Sequence, residues 1–167
     1  MLYYAYGSNL WQPRLECRLG SVRAVGIGRL TGYALRWHKR SKKDGSGKCD
    51  VVPYANSEVI GVVYKIDDAK MQILDQFEGA GVGYRRTTVH LDLNGTPTDA
   101  VTYQATAVQE GILPYEWYHK LVIAGARYHA LPSAYIENLA KQPTQTDRDT
   151  LRSATELAQL RLTPRSR

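Results

Sequence analysis

The stretch that most constrains the fold covers residues 58–66, where almost every side chain is apolar. Its apolar members are β-branched or aromatic, the types that favour a pleated strand: Val59, Ile60, Val62, Val63, Tyr64 and Ile66. A strand with so few polar positions is expected to be buried on both faces or to line a barrel. The rest of the chain must therefore cover both sides of this strand.

A helix is predicted directly after this strand, over residues 67–77. Asp67 is suited to cap the first turn because its side chain can accept a hydrogen bond from a free backbone N–H. Apolar residues then recur at a spacing that predicts one apolar face: Met71, Leu74 and Phe77.

Glu78 stands between this helix and a segment that contains Gly79, Gly81 and Gly83. Gly79 is suited to end the helix in a left-handed conformation. The partial negative charge of a helix C-terminus disfavours an ionised carboxylate there, which would make Glu78 a better proton acceptor. Glu78 is therefore a candidate general base, and a purely structural glutamate at a helix end is the alternative.

The remaining pattern places strands early in the chain and helices late. Strands are predicted at 22–30, 33–37, 49–54, 84–93 and 99–107, with turns at Thr31-Gly32, 55–57 and Asn94-Gly95. Helices are predicted at 11–19, at 114–128, after Leu131-Pro132 and at 150–160. This order predicts one α+β domain over residues 1–167 with a mostly antiparallel or mixed sheet.

The chain has an excess of positive charge, with a net charge of +6 and a sequence pI of about 9.3. Much of the excess lies in residues 36–43 and 161–167. A nucleic-acid-binding protein that uses residues 36–48 and the basic tail is one interpretation. The interpretation that these segments are a solvated loop and terminus is favoured over nucleic-acid binding. An intermediate interpretation is a basic entrance to a binding site that attracts an acidic small substrate.

The sequence contains no apolar run near the ~20 residues that cross a bilayer, and no basic segment followed by an apolar one at its start. Cys17 and Cys49 show no CxxC or metal-ligand spacing, so we expect reduced thiols in a cytoplasmic protein, with Cys17 a small core residue. The histidines also lack ligand spacing, so no metal site is expected: His38, His90, His119 and His129.

A strand that begins at Leu2 stops at Gly7-Ser8-Asn9, and a helix is predicted from Trp11 onwards. Gly7 permits a positive φ or a close backbone approach, and Ser8 and Asn9 can cap a helix. A strand, a glycine turn and a helix start together form a nest of backbone N–H groups suited to a carboxylate or a developing oxyanion. A capping turn without any ligand is the alternative.

Four stretches, in this order, resemble the γ-glutamylcyclotransferase family. They are Tyr4-Ala5-Tyr6-Gly7-Ser8-Asn9-Leu10; Gly61-Val62-Val63-Tyr64; Leu74-Asp75-Gln76-Phe77-Glu78-Gly79 with Tyr84 and Arg85; and residues 114–131, with Tyr118, Gly125-Ala126 and Leu131-Pro132. The resemblance covers about residues 2–142. The C-terminal helix and basic tail, residues 146–167, lie outside it.

This resemblance implies a small β-barrel with flanking helices and a reaction that converts a γ-glutamyl amino acid or amine to 5-oxoproline and the free amine, with no metal or organic cofactor. Glu78 matches the catalytic glutamate of the family. Other positions match the loop and aromatic residues near the glutamyl group: Tyr6, Gly7, Ser8, Asn9, Leu10, Tyr84 and Tyr118. A non-catalytic small-ligand-binding module on the same fold is the alternative, since fold alone does not define function.

Overall fold

The computed structural model describes residues 1–79 and 81–162 and is built around a closed five-stranded barrel. The strands are β1 (Leu2–Ala5), β2 (Arg23–Arg40), β3 (Gly47–Lys65), β4 (Tyr84–Leu93) and β5 (Thr96–Ala105). The helices are α1 (Gln12–Leu19), α2 (Asp68–Glu78), α3 (Glu116–Tyr128), α4 (Ser133–Ala140) and α5 (Thr150–Ala158), with 3₁₀ turns at Ser8–Leu10 and Gln159–Arg161.

Around the barrel the strand order is β1-β3-β2-β4-β5. Neighbouring strands pair antiparallel, except that β1 closes the barrel against β5 in parallel, with Tyr3 opposite Val101. The predicted α+β class and the mixed barrel with flanking helices are therefore confirmed.

The apolar stretch at 58–66 lies in the second half of β3 and is buried as predicted. Its apolar side chains are at most 5% exposed, because the strand pairs with β1 on one edge and β2 on the other while helices cover the outside. Gly61 allows a close approach in this region, since a Cβ at that position would overlap the carbonyl oxygen of Ala5.

Two predicted turns are wrong, because each lies inside a long strand. The pairing of β2 with β3 passes from Thr31 opposite Glu58 to Tyr33 opposite Pro53. Both strands therefore continue through an irregular bulge at this place. Gly32 has a φ of 80° and Asn56 a φ of 61°. Residues suited to positive φ serve a bulge as well as a turn, and only the pairing partner decides between them.

The Asn94-Gly95 turn is confirmed between β4 and β5, with φ values of 52° and 87°. The limits of α2 are also close to the prediction. Asp67 accepts a hydrogen bond from Lys70 N over 2.8 Å, and Gly79 ends the helix in the left-handed region.

Two predicted core positions are exposed instead. Phe77 is 46% exposed because a step of six residues turns it away from the face formed by Met71 and Leu74. Cys17 is exposed on α1.

The C-terminal helix α5 packs against α3 and is tied to the domain by polar contacts at both ends. Asp147 accepts hydrogen bonds from Trp117 Nε1 over 2.8 Å and from Arg152 Nε over 2.7 Å. Trp11 Nε1 donates to the carbonyl oxygen of Gln159 over 2.9 Å. Residues 163–167 of the predicted basic tail lie outside the described residues. No helix in the described part of the chain is long and apolar enough to cross a membrane.

Candidate active site

The turn after β1 forms one wall of the site. Leu10 N donates to Gly7 O over 2.9 Å and Trp11 N to Ser8 O over 3.2 Å, which closes the 3₁₀ turn. No side chain caps this turn or the start of α1, so the predicted capping by Ser8 and Asn9 is wrong. The first N–H groups of such a turn have no partner within it, and they remain suited to an anionic ligand.

Gly7 matters in this wall because it has no side chain, which lets Tyr118 and Cys49 approach the turn closely. Its φ is −110°, which any residue can adopt, so the expected positive φ is not used. A Cβ on Gly7 would lie 3.1 Å from the Tyr118 hydroxyl and 3.2 Å from Cys49 Cβ. A side chain here would press on the groups that face the turn.

The carboxylate of Glu78 lies opposite the turn, at the end of α2. Its Oε1 accepts hydrogen bonds from Arg18 Nη1 over 2.9 Å and from Asn9 Nδ2 over 3.1 Å. Asn9 in turn accepts from Arg18 Nη1 over 3.0 Å and donates to the Tyr3 hydroxyl over 2.8 Å. Arg18 and Asn9 therefore hold the carboxylate of Glu78 in place beside the turn.

Buried tyrosines form the remaining walls and are arranged around Cys49. The Tyr84 hydroxyl donates to Cys49 O over 2.8 Å, and the Tyr118 hydroxyl accepts from Cys49 N over 3.1 Å. The Tyr6 hydroxyl donates to Tyr103 O. Burial raises the pKa of Tyr6, Tyr84 and Tyr118 well above 10.0. These hydroxyls are therefore neutral hydrogen-bonding groups at physiological pH.

These groups line a small cavity of about 30 Å³, which we call the inner cavity. It is lined by Tyr3, Tyr6, Gly7, Ser8, Asn9, Cys49, Glu78, Tyr84, Tyr103 and Tyr118. Seven of the eight predicted site residues are thus brought together. Leu10 does not line the inner cavity, since it is fully buried and its backbone packs against Gly125.

Three lining residues and Arg18 were missed by the sequence analysis. Tyr3 immediately precedes the stretch Tyr4–Leu10 that resembles the family, and this position in the chain was the only sequence signal that it belongs to the site. Cys49 and Tyr103 lie on strands that reach the site only through barrel pairing. Arg18 reaches Glu78 from a different helix, and nothing in its local sequence indicates that contact.

A second and larger space opens directly outside the inner cavity. This outer cavity has a volume of about 330 Å³ and shares Ser8, Glu78, Tyr84 and Tyr118 with the inner one. Its lining contains seven Lys or Arg side chains and three Asp or Glu side chains. A molecule that extends from the inner cavity past Glu78 would therefore enter a basic environment.

Neither cavity offers an evident metal site. Within residues 1–79 and 81–162, no three His, Cys, Asp or Glu side chains are grouped to hold a metal ion. Burial raises the pKa of the Cys49 thiol to about 12, so this cysteine stays protonated and is a poor nucleophile. Glu78 is the one carboxylate among the residues that line the inner cavity.

The fold places the chain in a known class of small barrel proteins. A model of the AIG2-like family matches residues 58–139. The solved structure of a γ-glutamyl cyclotransferase superposes with a TM-score of 0.82 at 26% identity, covering 87% of this chain and 89% of that one.

Curated sequences narrow the class to a family. The chain is 31% identical to γ-glutamylcyclotransferase of Bos taurus and 28% identical to that of Homo sapiens, each over 144 residues that cover 83% of this chain and 76% of the relative. The chain belongs to the γ-glutamylcyclotransferase family.

Proposed function

We propose that this protein is a γ-glutamyl cyclotransferase that converts a γ-glutamyl amino acid or amine to 5-oxoproline and the free amine. One observation carries the proposal: a single carboxylate, Glu78, faces the uncapped turn at Gly7–Asn9 across the inner cavity. The family membership and the names of the relatives support it.

The reaction needs a base because the attacking amine of the substrate is an ammonium at neutral pH. Glu78 accepts a proton from that α-ammonium, and the free amine attacks the γ-carbonyl carbon of the same glutamyl group. A carbon–nitrogen bond forms and closes the five-membered ring. The ring nitrogen then gives up its second proton, and the carbon–nitrogen bond to the leaving amine breaks as Glu78 returns the first proton to the leaving nitrogen. Both protons depart with the amine, which leaves as an ammonium ion.

The turn and the tyrosines would hold the glutamyl group in a folded pose. Backbone N–H groups at Ser8 and Asn9 are positioned to stabilise the oxyanion of the tetrahedral intermediate or the α-carboxylate. The rigid walls formed by Tyr84 and Tyr118 limit the conformations of the chain between amine and carbonyl. Such orientation lowers the barrier of a ring closure substantially.

This mechanism uses side chains and backbone groups alone, so we propose that no metal or organic cofactor takes part. We also propose a cytoplasmic location. Both cysteines are free, with Cys17 exposed and Cys49 buried, as expected for a reducing compartment.

The test is to incubate the purified protein with γ-glutamyl amides of several amino acids and simple amines and to follow 5-oxoproline by mass spectrometry. We expect product with the wild type and almost none with Glu78→Gln. If a folded wild-type protein binds 5-oxoproline or glutamate but turns over none of the panel, the non-catalytic binding module becomes the better explanation.

A further inference from the structure

The outer cavity is the place where the leaving half of a substrate would lie. This inference rests on the proposed function, which puts the glutamyl group in the inner cavity. Ser8, Glu78, Tyr84 and Tyr118 line both cavities, so the amide nitrogen beside Glu78 stands at the boundary between them. Whatever is attached to that nitrogen extends into the outer cavity.

Lys39 is a buried cation beside this boundary. It lies on β2, is 8% exposed, and its Nζ is 4.7 Å from the centroid of the Tyr84 ring. A Cβ on Gly83 would be 3.3 Å from the same Nζ, which places the ammonium beside the segment that follows Glu78.

Within the described part of the chain, Lys39 forms no ion pair with a carboxylate. The nearby Glu78 is paired with Arg18 instead. A buried ammonium without an anionic partner is costly to maintain. A ligand anion in the outer cavity would provide the missing partner.

Further lysines extend this charge away from the boundary. Lys48 Nζ lies over the rings of Trp117 and Tyr118, at 4.3 Å and 4.6 Å from their centroids, and is paired with Asp44 over 2.9 Å. Lys42 and Lys43 line the same cavity and are exposed.

The arginines of the outer cavity are already neutralised. Arg14 is paired with Glu156 over 2.6 Å, Arg18 with Glu78 over 2.9 Å, and Arg152 with Asp147. Since Lys48 is paired as well, the positive charge left over comes from Lys39 at the boundary and from Lys42 and Lys43 at the rim.

We propose that the outer cavity selects γ-glutamyl substrates whose leaving amine carries an anionic side group, such as a second carboxylate or a phosphate, in addition to any α-carboxylate. Lys39 contacts the anionic side group, and Lys42 and Lys43 at the rim add to the positive potential that favours it. A neutral side group of the same shape leaves Lys39 without a partner. The selection is therefore by charge and not by size.

The experiment compares kcat/KM for two matched pairs: γ-glutamyl-aspartate against γ-glutamyl-asparagine, and γ-glutamyl-phosphoserine against γ-glutamyl-serine. The first pair differs mainly in charge, while the second differs in both charge and size. Together the two pairs distinguish a carboxylate from a phosphate. We expect the acidic member of at least one pair to be preferred by about 10-fold at low salt, the range of a hydrogen bond to a charged group. The preference should shrink as salt is raised.

Variants assign the effect to the outer cavity. Lys39→Met should remove most of the acidic preference, and Lys141→Met, the same change at an exposed lysine that does not line the cavity, should keep it. Because Lys39 is buried, its replacement could also disturb folding, so the double variant with Lys42→Ala and Lys43→Ala at exposed positions gives a second test. We expect the acidic preference in kcat/KM to fall by about 3-fold in this variant, since solvent-exposed charges contribute less.

Equal kcat/KM within both pairs would overturn this inference while leaving the proposed function intact. An acidic preference that survives in both the Lys39 variant and the double variant would also overturn it. Turnover of none of the four compounds by an enzyme that forms 5-oxoproline from other γ-glutamyl amides would overturn this inference alone. Turnover of none of the wider panel would overturn the proposed function, and this inference with it.

Discussion

Arg18 on α1 donates a hydrogen bond from Nη1 to Glu78 Oε1 over 2.9 Å, and the side chains are only 17% and 18% exposed. The contact joins two helices that are 60 residues apart in the chain. Since Arg18 also donates to Asn9 Oδ1, one guanidinium fixes both the carboxylate and the turn that faces it. Arg18 is thus a positioning residue for Glu78.

Replacing Glu78 by Gln removes the proton acceptor but keeps the shape of the side chain. We expect a folded protein whose kcat falls by about 100- to 10,000-fold, the range of a general acid–base group. Thermal unfolding and 5-oxoproline formation measure the two effects. Turnover near the wild-type value would exclude Glu78 as the base.

Arg18→Lys and Arg18→Met separate the charge of this residue from its geometry. Lysine keeps the charge, while methionine removes both the charge and the contacts to Asn9 and Glu78. We expect kcat to fall more for Met than for Lys, with a smaller change in KM, because the base loses its orientation. If the Lys and Met variants instead lowered kcat by the same factor and changed KM equally, Arg18 would have only a structural role.

Gly7→Ala introduces a Cβ at 3.1 Å from the Tyr118 hydroxyl. This is tighter than an ordinary contact, so Tyr118 or the turn must shift by a few tenths of an ångström. We expect kcat/KM to fall by at least about 10-fold, since small misplacements in a site are costly to rate, while thermal stability changes little. Comparing the activity loss with the shift in Tm checks this, and a variant that is inactive only because it unfolds would contradict it.

The buried tyrosines make the protein sensitive to alkaline pH. Burial raises the pKa of Tyr6, Tyr84 and Tyr118 above 10.0, so above that pH the unfolded chain releases protons that the folded chain retains. Stability is complete below pH 10 and falls as the pH rises further. We expect the tyrosinate absorbance to rise together with the loss of circular dichroism. Ionisation of all twelve tyrosines in a still-folded protein would contradict this.

Asp147 gives the opposite dependence at acid pH. Hydrogen bonds from Arg152 and then Trp117 lower the pKa of its carboxyl from 3.8 to about 2. Its contribution is therefore present above about pH 4 and is lost as the pH falls towards 2. Asp147→Asn should be less stable than the wild type at neutral pH, with a difference that shrinks on acidification. Urea unfolding at several pH values measures this, and a constant difference would argue against it.

Local sequence signals were sufficient where a structure depends on neighbours in the chain. The Asp67 cap, the left-handed Gly79 and the Asn94-Gly95 hairpin each follow from one or two residues. The same signals failed at Gly32 and Asn56, where the positive φ serves a bulge. They also failed at Phe77, whose position on α2 faces away from the barrel.

Residue types and their spacing alone predicted that a buried strand leads into a capped helix that stops just before Glu78, and that a glycine turn follows an N-terminal strand. That these two places meet became evident only in the folded protein. Closure of the barrel brings Cys49 and Tyr103 to the inner cavity, and the packing of α1 beside α2 brings Arg18 to Glu78. Such contacts join residues that are far apart in the chain, 35 positions for Tyr84 with Cys49 and 60 for Arg18 with Glu78, so local conformational preference carries no information about the partner.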